Sequence, residues 1–134
     1  MKRARFQRGL IGSILVGILA VAMSGLFSAY AEDIRGEWVR LRLLDKIAAL
    51  PQTIDVRVGD TIEVDAMRIV ARACFKKPPE EFPETSVWLE VHDKSNEDAL
   101  VFRGWMFASS PALSSLAHPV YDLWVVDCFE RAPS

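Results

Sequence analysis

Two serines, a histidine and an aspartate lie close together near the carboxyl end of the chain, and these are the residue types of a hydrolase triad. In that reading Ser110 is the nucleophile, His118 the general base and Asp122 the group that orients the base. However, the chain has no Gly-x-Ser-x-Gly elbow, and no second patch suggests an oxyanion hole. The structural alternative is that Ser109 and Ser110 cap a short helix beginning at Pro111, which His118 ends. We therefore predict no catalytic site and keep the hydrolase as the alternative function.

A metal site has little support from the spacing of possible ligands. His92, His118 and Asp122 are the plausible ligands for a transition metal, but neither histidine has a second ligand two or four positions away. Asp55, Asp60, Glu63 and Asp65 resemble a calcium cluster, but they lack the spacing of a calcium-binding loop. We predict that the protein holds no metal and no cofactor.

Large aromatic side chains give more evidence of a functional surface than the candidate catalytic and metal-binding residues do. Trp88 falls on the polar side of an alternating segment, beside Glu90 and His92. An outward Trp88 near a proline-rich loop that carries Phe82 would form a docking patch. The alternative, that Trp88 lies under this loop and packs it down, remains open. The predicted binding surface comprises Phe82, Trp88, Trp105, Met106, His118, Tyr121 and Trp124.

The segments that must position these residues read as strands. The first is expected within Trp38–Ile47, and Gln52–Asp65 is expected to be a hairpin with its turn at Gly59-Asp60. Leu100–Phe107 and Tyr121–Phe129 are further runs rich in aromatic and β-branched residues. Two more strands are predicted from alternation, one with Val87, Leu89 and Val91 on a single face and one with Met67, Ile69, Ala71, Ala73 and Phe75 on a single face.

Two segments interrupt this pattern of strands. Lys76–Pro83 contains three prolines and is predicted to be an extended surface loop. Ser109–Pro119 is predicted to hold the short helix. The fold class we predict is all-β: a compact antiparallel β-sandwich or small barrel of six to seven strands with one short helix, preceded by a signal peptide.

The first thirty-one residues have the pattern of an export signal. Four positive charges precede the apolar run Leu10–Phe27, and Ala29-Tyr30-Ala31 is a small-x-small site that a signal peptidase accepts. The run is also just long enough for an uncleaved membrane anchor, which is the alternative. The predicted divisions are a signal peptide (1–31), a linker (32–37), a β-domain (38–130) and a disordered tail (131–134).

Charge limits the partners of the exported part. Four of the sixteen basic residues belong to the leader, and all eighteen acidic residues follow it, so twelve basic residues face eighteen acidic ones and the balance is −6. An acidic domain without a Lys/Arg cluster in its sequence is a poor ligand for nucleic acid or anionic lipid. We predict no nucleic-acid partner, and membrane contact only through a retained leader.

Export also bears on the two cysteines, Cys74 and Cys128. They are too far apart for a redox Cys-x-x-Cys motif, and two ligands cannot complete a zinc site. In an oxidising compartment we expect a structural disulfide between them, with two separate buried thiols as the alternative.

The chain resembles the exported alphaproteobacterial family named domain of unknown function 2155. The resemblance rests on Leu44-Asp45-Lys46, on Cys74 with the proline segment after it, and above all on Gly104–Pro111 followed by His118–Trp124 and Cys128. Ala117 departs from the family pattern, in which an acidic residue is more usual. The resemblance implies a periplasmic setting and brings no activity with it.

These observations lead to one functional expectation. The protein is predicted to be an exported periplasmic protein that acts as a non-catalytic binding or scaffold module of the cell envelope, with an unknown envelope protein as partner. The alternative is a small periplasmic hydrolase, and the alternative location is the inner membrane, through the leader.

Overall fold

A computed structural model describes residues 31–114 and 116–133. The signal-peptide prediction lies outside these residues, apart from the exposed Ala31 at its end. Alternating apolar and polar residues form eight strands in the described part. They are β1 (Ile34–Arg35), β2 (Trp38–Asp45), β3 (Leu50–Arg57), β4 (Thr61–Val64), β5 (Met67–Lys76), β6 (Thr85–Asp93), β7 (Ala99–Phe107) and β8 (Tyr121–Phe129).

The strands form two antiparallel sheets. Sheet A has the order β1-β5-β6-β7, with β4 also paired to β5, and sheet B has the order β3-β2-β8. The all-β prediction is confirmed, and two separate sheets make the fold a sandwich rather than a barrel. The strand beyond the six to seven predicted is β1, which lies in the stretch predicted to be a linker. Its residues Ile34 and Arg35 pair with Lys76 and Phe75 of β5.

The core lies between the two sheets. From sheet A, Val87, Leu89 and Val91 of β6 are fully buried, as their alternation predicts. From sheet B, Val39 and Leu41 of β2 face them. Burial of each such side chain contributes roughly 1.5–3 kcal/mol to the free energy of folding. Because a slip of one residue would move these side chains to the solvent face, their burial fixes the register of both sheets.

The hairpin predicted for Gln52–Asp65 is wrong. β3 pairs with β2 over eight residues, whereas β4 pairs with β5 in the other sheet. The chain changes sheets at Gly59, whose φ of 94° suits glycine and whose N–H donates to the Ala71 carbonyl at 2.7 Å. Alternation in a sequence shows that two segments are strands, but it does not show which strands they pair with.

The single face predicted for β5 is also only partly correct. Met67, Ile69 and Ala71 point into the core, but a bulge between Ala71 and Ala73 shifts the alternation by one residue. Beyond the bulge Cys74 is fully buried, and Phe75 is on the outside. The prediction that Ala73 and Phe75 share one face with Met67, Ile69 and Ala71 is therefore wrong.

A long connection closes one side of the sandwich. β7 ends near Cys74, whereas β8 begins at the opposite end, beside Asp45, so the connection must run back along the sandwich. We call residues 108–114 and 116–120 the strap. It contains a 3₁₀-helix, Pro111–Leu113, and it buries Leu116 in the core. A short helix beginning at Pro111 is confirmed, but it ends at Leu113 rather than at His118, and the Ser110 side chain makes no capping hydrogen bond to it.

Candidate functional site

Two carboxylates that flank β6 fix the two ends of the strap. Glu84 immediately precedes the strand, and Asp93 is its last residue. Glu84 binds Ser109 near the start of the strap, and Asp93 binds His118 near its end. Two of the polar residues that suggested chemistry in the sequence, Ser109 and His118, therefore lie at the two fixing points of one loop.

At the first point, Ser109 donates to Glu84 twice. Its hydroxyl donates to Glu84 Oε2 and its backbone N–H to Oε1 at 3.1 Å, while the Thr85 N–H also donates to Oε1 at 2.9 Å. Partial burial raises the pKa of Glu84, but these hydrogen bonds outweigh it and hold the pKa below the usual value. Glu84 is thus a charged acceptor that orders the loop.

At the second point, Asp93 accepts hydrogen bonds on both carboxylate oxygens. Ser95 donates to Oδ1 through its hydroxyl at 2.5 Å and its N–H at 2.9 Å, and His118 Nε2 lies 2.8 Å from Oδ2. The bonds from Ser95 and then from His118 lower the pKa of Asp93, against the opposing effect of burial. The side chains of Asp93 and His118 are each only 8% exposed.

The second ring nitrogen of His118 is also occupied. Nδ1 accepts the backbone N–H groups of Val120 at 3.1 Å and Tyr121 at 3.2 Å, so Nε2 carries the proton donated to Asp93. In this arrangement neither nitrogen is available to take a proton from a serine hydroxyl.

The other members of the proposed triad have different partners. Asp122 lies 3.4 Å from Lys46 Nζ, and the Ser110 hydroxyl lies 3.5 Å from that of Ser109. The geometry therefore does not bring Ser110, His118 and Asp122 together as nucleophile, base and orienting group.

The residues considered as metal ligands are likewise separated. His92 Nδ1 lies 3.2 Å from the Asp98 carbonyl, whereas His118 contacts Asp93. Within residues 31–114 and 116–133, no three His, Cys, Asp or Glu side chains are grouped closely enough to hold an ion.

Cys74 and Cys128 form the predicted disulfide, which joins β5 of sheet A to β8 of sheet B. Their Cα atoms are 6.2 Å apart. Gly36 passes directly over the bond and donates its N–H to the Cys74 carbonyl at 2.9 Å. A Cβ atom at position 36 would lie 2.1 Å from Cys128 Sγ, so only glycine fits there.

An open groove of about 1120 Å³ lies beside the disulfide. The proline loop, the strap at Ser109, the end of β8 and residues 131–133 line it. Lys77 fixes the loop, because its N–H donates to the Glu84 carbonyl and its Nζ lies 2.9 Å from Asp33, which raises the pKa of Lys77. At the loop tip Phe82 is 94% exposed.

The predicted binding surface divides into buried and outward residues. Met106 and Tyr121 are buried in the core, and His118 is buried against Asp93, so these three were wrongly placed on a surface. Trp88 and Trp105 lie on the outer face of sheet A, and Trp124 lies on the outer face of sheet B between the buried Leu123 and Val125.

On the outer face of sheet A the aromatic rings touch one another. Trp88 and Trp105 are directly paired across β6 and β7, with ring centroids 5.5 Å apart at an interplanar angle of 79°. Phe75 lies 6.1 Å from Trp105 at 44°, and the Arg35 guanidinium lies 5.8 Å from the Phe75 ring centroid. Trp88 thus packs against Trp105.

Sequence reasoning missed Phe75 and Arg35 as members of this face. Phe75 was predicted to share the face of Met67 and Ile69 because a bulge carries no clear sequence signal, and Arg35 was predicted to lie in a linker. The outward position of Trp88 did follow from its place in the alternation of β6.

Comparisons with known proteins give a family without a described activity. The model of a family described as "Uncharacterized protein conserved in bacteria (DUF2155)" matches residues 39–128. An uncharacterized protein of Rickettsia prowazekii (strain Madrid E) is 31% identical over 88 residues, which cover 64% of this chain and 57% of that protein. The matched region thus spans little more than half of the curated relative.

No solved structure matches the chain. Among the described residues, no helix has the length and apolar character needed to cross a bilayer. The match over residues 39–128 runs from β2 to Cys128 and includes the disulfide and both fixing points of the strap. The chain therefore belongs to the uncharacterized bacterial family DUF2155.

Proposed function

We propose that this protein is exported and acts in the cell envelope by binding another envelope component, without catalysis. The observation that carries the proposal is the row of large aromatic rings on the outer face of sheet A, where Phe75, Trp88 and Trp105 are only partly buried. Large aromatic side chains are enriched where proteins bind one another, because they bury much area at little entropic cost.

Two further points support the proposal. Ser109 and His118, which resemble catalytic groups, are engaged in hydrogen bonds that hold the strap: Ser109 with Glu84, and His118 with Asp93 and two backbone N–H groups. The leader pattern of residues 1–31 and the disulfide fit an oxidising compartment outside the cytoplasm.

Site-specific photocrosslinking in living cells tests the binding role. A photoreactive amino acid at position 105 is expected to capture a discrete partner, whereas the same amino acid at the exposed Leu50 of sheet B serves as the matched control. Capture at neither position, or equal capture at both, would contradict the proposal.

Mass analysis of the recovered protein tests export. A mass that lacks residues 1–31 and two hydrogens indicates cleavage and a disulfide. A full-length mass indicates instead an inner-membrane anchor. A Ser110→Ala variant in the same cells should retain capture and function, and loss of function in the folded variant would favour the hydrolase.

A further inference from the structure

The outer face of sheet A carries a group of arginines that the sequence does not reveal. Arg72 of β5 and Arg103 of β7 lie on either side of the central strand β6. Both contact the carboxylate of Glu90 on β6, at 3.2 and 3.5 Å respectively. Arg35 joins them through its position over Phe75. The sequence separates these arginines by more than thirty residues at each step, so no run of basic residues marks the cluster.

The charges of this cluster are not balanced. One carboxylate faces two guanidinium groups, and the Arg72 and Arg103 side chains are 53% and 57% exposed, whereas Glu90 is only 15% exposed. Their outer N–H groups therefore face solvent. Nearby, Arg68 is paired with Asp98, which adds no net charge.

The arginines frame the aromatic rings. We define the arginine–aromatic face as Arg35, Arg72, Phe75, Trp88, Arg103 and Trp105. Its three cations and the single carboxylate of Glu90 make it positive, although the exported domain as a whole has a formal charge of −6. Positive charge concentrated on one face of an acidic domain selects an anionic partner and speeds its approach.

The tilt of the aromatic rings bears on whether the anionic partner is a sugar or a polypeptide. The Trp88 and Trp105 planes are 79° apart, and those of Phe75 and Trp105 are 44° apart, so the rings do not form one flat platform. The apolar face of a sugar ring stacks best on a flat aromatic surface. Tilted rings instead offer edges and faces in several directions, against which the apolar side chains of a polypeptide can pack.

From these observations we infer that the arginine–aromatic face binds an acidic polypeptide segment of a partner protein, one that carries Asp or Glu beside large apolar side chains. The guanidinium groups of Arg72 and Arg103 donate to its carboxylates, and its apolar side chains pack against the tilted rings. This inference rests on the proposed binding function and specifies the chemistry of the partner.

Selection from a displayed library of random peptides against the exported protein tests this chemistry. Enriched peptides are expected to combine Asp or Glu with Trp, Phe or Leu. The strongest peptide should bind the Arg72→Gln/Arg103→Gln variant at least about tenfold more weakly, with a loss that shrinks at high salt. The matched control is Arg42→Gln/Arg57→Gln, which removes the same charge from sheet B and should bind as the unaltered protein does.

Several results would overturn the inference. They are the absence of enrichment, enrichment of neutral or basic peptides, or equal binding by both double variants. A second pair, Arg72→Lys/Arg103→Lys, keeps the charge but not the planar donors, and should be intermediate. Circular dichroism establishes that each variant is folded.

Failure of this inference can be distinguished from failure of the proposed binding function. If photocrosslinking at position 105 captures a partner but the library selects no acidic peptide, only the partner's chemistry is wrong. If position 105 captures nothing, the binding role itself fails.

Discussion

The two ends of the sandwich join the same pair of sheets by different chemistry. At one end the covalent bond between Cys74 and Cys128 links β5 to β8. At the other, His118 contacts Asp93 of sheet A through Nε2 and the Tyr121 N–H of sheet B through Nδ1. Lys46, just after β2, also donates to the His118 carbonyl at 2.8 Å. A histidine with both nitrogens engaged thus acts as the noncovalent counterpart of the disulfide.

The difference between the ends lies in what each responds to. The disulfide depends on redox conditions and does not titrate, whereas the Asp93–His118 contact depends on pH and does not respond to thiols. The two ends can therefore be weakened separately, and their contributions to the free energy of unfolding can be compared.

The largest effect is expected at the covalent end. Replacing Cys74 and Cys128 together with alanine removes a cross-link that closes a loop of 54 residues. The chain-entropy treatment gives a loss of about 4 kcal/mol in the free energy of unfolding. Urea denaturation of the variant and of the unaltered protein, with and without reductant, measures this. A reductant that does not change the stability of the unaltered protein would contradict it.

The next effect concerns Gly36 above the disulfide. A methyl group there would collide with Cys128 Sγ, so Gly36→Ala should cost about 1–3 kcal/mol in the free energy of unfolding. The same change in the protein that lacks both cysteines should cost clearly less, because the sulfur is gone. Gly59→Ala is unsuitable as a control because of its positive φ. An equal cost in both backgrounds would mean that the disulfide is not what requires glycine.

A comparable or smaller loss is expected at the noncovalent end. His118→Ala leaves the Val120 and Tyr121 N–H groups without their acceptor, at a cost of about 1–3 kcal/mol in the free energy of unfolding. The control is His92→Ala, because His92 makes its contact with the Asp98 carbonyl at an exposed site and should matter little. Thermal unfolding of both variants measures the difference. Similar losses of stability in the two variants would mean that His118 does not bridge the two sheets.

The smallest effect is a dependence on pH. Because folding lowers the pKa of Asp93, its carboxylate stabilises the fold fully above the ordinary value of about 3.9 and loses that contribution as the pH falls through the lowered pKa. Asp93→Asn should therefore lose less stability than the unaltered protein as the pH falls below about 4. The variant without cysteines should keep the slope of the unaltered protein. An unchanged slope in Asp93→Asn would contradict this assignment.

The sequence predicted a good part of this fold for physical reasons. Alternation on β6 and β8 reports burial directly, and it correctly placed Val87, Leu89 and Val91 in the core and Trp88 outside. The disulfide was expected because the leader pattern predicts export to an oxidising compartment and the chain has two cysteines.

What the sequence did not predict depends on pairing between distant segments. The partners of β3 and β4, the bulge at Arg72 and the contact of Asp93 with His118 are set by three-dimensional packing. Met106 and Tyr121 looked like surface residues because large aromatic and sulfur side chains suit cores and interfaces equally. The arginine cluster likewise emerges only when β5, β6 and β7 lie side by side.

The bulge at Arg72 has a consequence for how sequences of this family can vary. One added residue on β5 turns Cys74 toward Cys128 and, in the next position, turns Phe75 outward toward Trp105. Straightening the bulge while keeping Arg72 in the strand would reverse both orientations at once, exposing a thiol and burying a ring. Deletion of Arg72 would instead leave Cys74 opposite Val87 and Phe75 on the outside. Relatives that lack this residue should therefore keep the cysteine pair and the outer ring, whereas relatives whose strand is regular at unchanged length should lack both.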